Sequence, residues 1–94
     1  MAQMTNMGAQ QLVVSTTAVA PTLPNVSGQP DFALFRTSGD VRWRDDGTNP
    51  TSSIGMSLLA NESMEYDGEL SRIKFIRSGA ADATLDIAYY RSDG

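Results

Sequence analysis

Ala83-Thr84-Leu85-Asp86-Ile87-Ala88-Tyr89-Tyr90 decides the fold class. Leu85, Ile87 and Tyr89 fall on one side of an extended chain and Thr84, Asp86 and Ala88 on the other, because successive strand side chains point to opposite faces. A helix would scatter these residues around its circumference, so the alternation predicts a half-buried strand. The same period recurs toward the N-terminus. Ile73 and Phe75 alternate with Arg72 and Lys74, and Ile76 falls on the basic side, which is therefore expected to be partly covered. Met64 and Tyr66 share a face within Glu62-Ser63-Met64-Glu65-Tyr66, and Ile54, Met56, Leu58 and Leu59 form a short apolar segment. In Val41-Arg42-Trp43-Arg44 the apolar pair is expected inward and Arg42 and Arg44 outward. Phe32-Ala33-Leu34-Phe35-Arg36 precedes it across Thr37-Ser38-Gly39-Asp40, a spacing that predicts a hairpin. Asp45-Asp46-Gly47, Asn49-Pro50, Ala60-Asn61, Asp67-Gly68 and Ser78-Gly79-Ala80 supply the remaining turns. Strands at intervals of roughly ten residues with no helical repeat predict an all-β fold. The expected form is a compact antiparallel β-sandwich or barrel, jelly-roll-like, with an extended N-terminal arm.

The arm is read from charge. All 18 charged residues (7 basic and 11 acidic) lie from Asp31 onward, so residues 1–30 are uncharged. At 94 residues the chain holds one domain, placed at 31–94, with residues 1–30 as the arm. Residues 1–10 are small, polar and without apolar periodicity, the pattern of a flexible end ordered by a partner. Leu12, Val13, Val14, Thr16 and Thr17 have strong β-propensity and predict one short strand at about 11–16. Pro21, Pro24, Gly28 and Pro30 mark an extended connector. Ala18-Val19-Ala20 resembles a signal-peptide cleavage site, but no basic residue precedes Arg36 and Ser15, Thr16 and Thr17 interrupt the apolar run, so the strand reading is preferred. No stretch approaches the roughly 20 apolar residues of a membrane span. The chain is read as soluble, made without export and not membrane-bound, which leaves the triplets Asn25-Val26-Ser27 and Asn61-Glu62-Ser63 without weight as glycosylation sites.

With no His and no Cys the sequence offers no imidazole base, thiolate nucleophile or thiolate–imidazole zinc site, and Ser and Thr have no His partner for a triad. No enzyme and no cofactor is expected. The net charge of -4 and a pI of about 4.4 argue against a phosphate backbone as partner, so no nucleic acid is expected. Asp45-Asp46-Gly47-Thr48-Asn49 offers hard oxygen ligands. Its spacing nevertheless misses that of a calcium loop, with Gly47 at the third position, and a turn is the preferred reading. Glu62, Glu65, Asp67 and Glu69 read as a solvated face in preference to a glycosidase pair. Arg42, Arg44, Arg72, Lys74 and Arg77 are five of the seven basic residues, and strand placement gathers them on one side. That side is either an edge charged against aggregation or a docking patch. Leu12, Val13 and Val14 are the second candidate contact, since an uncharged Val-rich strand can add to a partner's sheet edge. Trp43 is read as core, and Tyr89-Tyr90 as one buried and one exposed ring.

Several of these stretches carry a resemblance. Residues 10–21 and 41–94, most of the chain, are its extent, and its recognisable pieces are Val41-Arg42-Trp43-Arg44-Asp45-Asp46-Gly47, Pro50-Thr51, Gly55-Met56, Leu70-Ser71-Arg72-Ile73-Lys74-Phe75-Ile76 and Ala83-Thr84-Leu85 with Tyr89-Tyr90. Together they resemble small proteins encoded in the structural-gene regions of tailed bacteriophages and prophages. The resemblance implies a non-enzymatic virion component of the capsid decoration, or cement, type. The partners expected are the major capsid protein and further copies of the chain, a trimer being favoured, on the capsid surface after assembly in the host cytoplasm. A head-to-tail connector, neck or tail protein is the alternative in the same setting. A carbohydrate-binding module for host attachment is the alternative of another class, requiring an exposed aromatic platform.

Overall fold

The alternation that predicts the strands also sorts their side chains, one in two facing a shared interior. The computed structural model describes residues 4–23 and 30–92, within which seven strands and no helix form. They are β1 (Met4–Val14), β2 (Phe32–Thr37), β3 (Val41–Arg44), β4 (Met56–Leu58), β5 (Ser63–Tyr66), β6 (Lys74–Arg77) and β7 (Ala83–Ser92). Two antiparallel sheets face each other, one ordered β1-β7-β2-β5 and one ordered β4-β3-β6. The chain leaves β1 and runs along the edge of β6, where Ser15 accepts a hydrogen bond from the Arg77 amide and Val19 forms a bridge with Phe75. With that segment counted as the second of eight positions, first pairs with eighth, second with seventh, third with sixth and fourth with fifth. This is one long hairpin rolled into two sheets, the winding of a jelly roll. The all-β, sandwich-like expectation therefore holds.

Local turn signals gave the strands but not their partners. Thr37-Ser38-Gly39-Asp40 was expected to close a hairpin, yet β2 and β3 lie in different sheets, and the turn carries the chain across the interior. Thr37 is buried there and is satisfied locally, its hydroxyl donating to the Gly39 carbonyl at 2.5 Å. A turn dipeptide specifies a reversal. Which strand is then met depends on where both apolar faces can be covered.

The N-terminal segment differs most from expectation. In place of a short strand at 11–16 after a flexible end, β1 starts at Met4 and pairs with β7 as far as Val14, with a bulge between Asn6 and Gly8. Met4–Gln10 has no apolar repeat because its order comes from the main-chain ladder offered by the long β7, not from side-chain burial. Residues 15–23, expected as arm and connector, lie against the body. Pro21 is buried, and Gln10 Oε1 accepts hydrogen bonds from the Thr22 amide at 3.0 Å and the Tyr89 hydroxyl at 2.8 Å. Residues 1–3 and residues 24–29 of the proposed connector, including Pro24, Gly28 and the triplet Asn25-Val26-Ser27, fall outside the described residues, while Pro30 at its end is buried.

The core lies between the sheets. Phe35, Leu85, Ile87, Tyr89 and Val14 from the larger sheet meet Val41, Phe75 and Ile73 from the smaller one and its approach. Phe35 sits at its centre, edge-on to Phe75 at 5.0 Å between ring centroids and tilted against Tyr66 at 6.1 Å. Each fully buried side chain of this kind contributes on the order of 1.5–3 kcal/mol.

Candidate functional site

Each sheet has an outer face, and the two are built differently. On the smaller sheet, Arg42 is opposite Ile76 and Arg44 opposite Lys74 in the β3–β6 register, so alternation places all four on the outer side. Arg72 shares their parity two residues before Lys74. The expected gathering of Arg42, Arg44, Arg72 and Lys74 is therefore present. Arg77 leaves the group: it is paired with Val41 toward the inner side and bonds Asp82 at 2.6 Å.

The gathered cations hold the molecule's own loop 45–55. Arg42 donates to the Ser52 carbonyl at 3.1 Å and the Gly55 carbonyl at 3.0 Å. Arg44 forms a two-point pair with Asp46 at 3.2 and 2.5 Å, and Lys74 donates to Asn49 Oδ1 at 3.0 Å. Arg72 lies over Gly47, where any Cβ would stand 2.6 Å from its guanidinium, and Gly47 also needs its positive φ of 86°. Gly55, at φ 141°, passes so close to β3 that a Cβ would meet the Trp43 carbonyl at 3.1 Å. Ile76 is buried on this side, beside Thr51 and Ser52. The partial cover expected over it is this loop.

The 45–49 stretch is a turn in which the Asp45, Asp46 and Asn49 side-chain oxygens are all engaged. Asp46 accepts from the Thr48 amide at 3.1 Å as well as from Arg44, and these bonds, Arg44 first, hold its carboxyl below the ordinary carboxylate range. Asp45 accepts from the Tyr66 hydroxyl at 2.5 Å. Burial, and then this bond, push the Tyr66 hydroxyl pKa up. Trp43 stands edge-on to Tyr66 at 5.8 Å and packs against the core. Among the described residues no three acidic side chains gather as metal ligands would. Glu62 and Glu69 bind the Leu59 amide and the Ser71 hydroxyl of their own turns.

Among the described residues, nothing covers the larger sheet's outer face. Ala9, Gln11, Leu34, Arg36, Asp86 and Ala88 line a shallow depression of about 500 Å³ there. Asp86 lies opposite both Gln11 and Arg36 across the strands. Val13 stands on the same side at 63% exposure, whereas Leu12 packs against the core and Val14 is fully buried. Of the three residues expected to meet a partner, alternation therefore leaves only Val13 at the surface. Tyr89 is buried and its hydroxyl pKa is pushed up to about 12 by that burial, while Tyr90 lies on the outer side, edge-on to Phe32 at 6.0 Å. The sequence did not single out Ala9, Leu34 or Ala88. Small residues on an alternating strand carry no signal until the sheet brings them together. Comparison of the chain with protein-family models, with curated proteins and with solved structures finds no match to any of them.

Proposed function

We propose that this chain is a phage capsid decoration or cement protein, a non-enzymatic part that binds the outer surface of the major capsid protein shell. The observation that supports it is the contrast between the two outer faces. One is spent on the chain's own loop, and the other offers the apolar floor of Ala9, Leu34 and Ala88 beside exposed Val13. A surface that is shallow and apolar suits contact repeated over a lattice, where many weak contacts add. Jelly rolls also serve as capsid and lectin domains, an analogy of fold alone.

The test is co-sedimentation of the purified protein with assembled shells of the major capsid protein. Binding that is lost on Leu34→Asp, a change on the open face, is the expected result. No binding to shells, or absence of the protein from mature particles by mass spectrometry, sinks the proposal. Copy number separates it from a connector or neck protein, which would be present as a single ring.

A further inference from the structure

Three strand edges face outward in this fold: β4 in the smaller sheet, and β1 and β5 in the larger. The fourth, β6, is taken by the segment after β1. Natural sheets protect open edges by shortness and charge. β4 has 3 residues. β5 has 4, carries Glu65 and is flanked by Glu62 and Asp67. β1 has neither protection. It is 11 residues long and contains no charged residue and no proline. Among the described residues no main-chain hydrogen bond reaches it from the side away from β7. Residues 19–23 engage it through the Gln10 side chain and leave its outer main chain open. Among the described residues, alternate residues of β1 therefore present N–H and C=O groups that no neighbouring strand takes up, the Gly8 amide being met by its own strand's Asn6 side chain at 3.0 Å.

We infer that β1 is an interface between two copies of this chain, paired antiparallel across a two-fold axis so that two four-stranded sheets become one of eight strands. Two features of β1 select a second copy as the occupant. The first is charge. A two-fold axis sets the residues at the middle of the strand near their own duplicates, so a charge at the centre of the edge would repel itself. Asp86, on the adjoining strand, would lie three strand spacings from its duplicate, about 14 Å. That exceeds the screening length of about 8 Å at physiological salt. The second is register. Beyond the bulge the ladder runs unbroken from Gly8 to Val14, with Gln11 at its midpoint. Full overlap sets Gln11 against Gln11, Ala9 against Val13 and Gly8 against Val14, small opposite large on each rung that is not Gln. The exposed Val13 side chain gains a neighbour on that seam.

The inference concerns the purified chain in solution and stands apart from shell binding. Sedimentation equilibrium over a wide concentration range should give twice the 10.1 kDa chain mass at the upper end. Gln11→Lys places two like charges on the axis and should raise the dimer dissociation constant at least tenfold with an unchanged circular dichroism spectrum. Ser63→Lys, on the β5 edge, should leave it unaltered. Because the chain has no Cys, Gln11→Cys supplies a single thiol that should form a disulfide-linked dimer under mild oxidation. Val13→Cys should do so only when mixed with Ala9→Cys. A monomer at every concentration, a three-chain mass, or cross-linking indifferent to position would overturn the inference.

Discussion

The outer faces of the two sheets use the same alternating pattern for opposite ends. On the smaller sheet the outward residues include Arg42, Arg44 and Lys74, with Arg72 beside them, and these cations grip loop 45–55. On the larger sheet the outward residues are mostly small or uncharged, and nothing among the described residues lies over Ala9, Leu34 and Ala88 except the shallow depression they line. A run of cations on a β-protein is readily taken for a docking patch. Here the cations close the molecule, and the face with few charges is the open one.

The comparison rests on a shared core, so its largest test removes that core. Phe35→Ala should cost about 3–5 kcal/mol, measured by denaturant unfolding, and loosen both faces together. Loss from one sheet only would mean that the faces are not carried by a common interior. The next test separates loop strain from edge strain. Gly55→Ala meets both a positive φ and the Trp43 carbonyl, and should cost about 2–3 kcal/mol, whereas Gly8→Ala, at φ 131° with nothing within 4 Å, should cost about 1. Equal costs would remove the distinction between a clamped loop and an open edge.

Arg42→Ala should cost about 1 kcal/mol and admit proteolysis within 45–55, since two carbonyls lose their donor. Arg36→Ala on the open face should change stability by less than about 0.5 kcal/mol. The last test is in pH. Tyr89 has its folded pKa raised to about 12, above an unfolded value near 10. The proton is held more tightly in the folded state, so the contribution is complete below about pH 10 and is lost as the pH rises through about 12. Thermal midpoints should fall across that window, and Tyr89→Phe should flatten the fall.

Much of this was legible in particular residues. Leu85, Ile87 and Tyr89 were placed on one face by their spacing alone, and all three are buried. Trp43 and Val41 faced inward as their alternation required, although Trp43, at the end of its strand, remains half-buried. Arg42, Arg44, Arg72 and Lys74 were correctly gathered, but their task was not visible, because Arg42 and Lys74 reach carbonyls and a side-chain amide 10 to 25 residues away in sequence. Leu12 and Val14 were read with Val13 as partner contacts for a simple reason. Without knowing that β1 lies beside β7, nothing decides which side of that strand is covered.

What the sequence determined by itself was the position and facing of the strands after residue 31, since side-chain alternation is written into consecutive residues. Only the tertiary structure decided that the turn after β2 crosses between sheets, that Met4–Gln10 is strand, and that β1 forms an uncharged edge. Those outcomes depend on main-chain hydrogen bonds, and every residue but proline carries the same donor and acceptor, so composition leaves no trace of which are used.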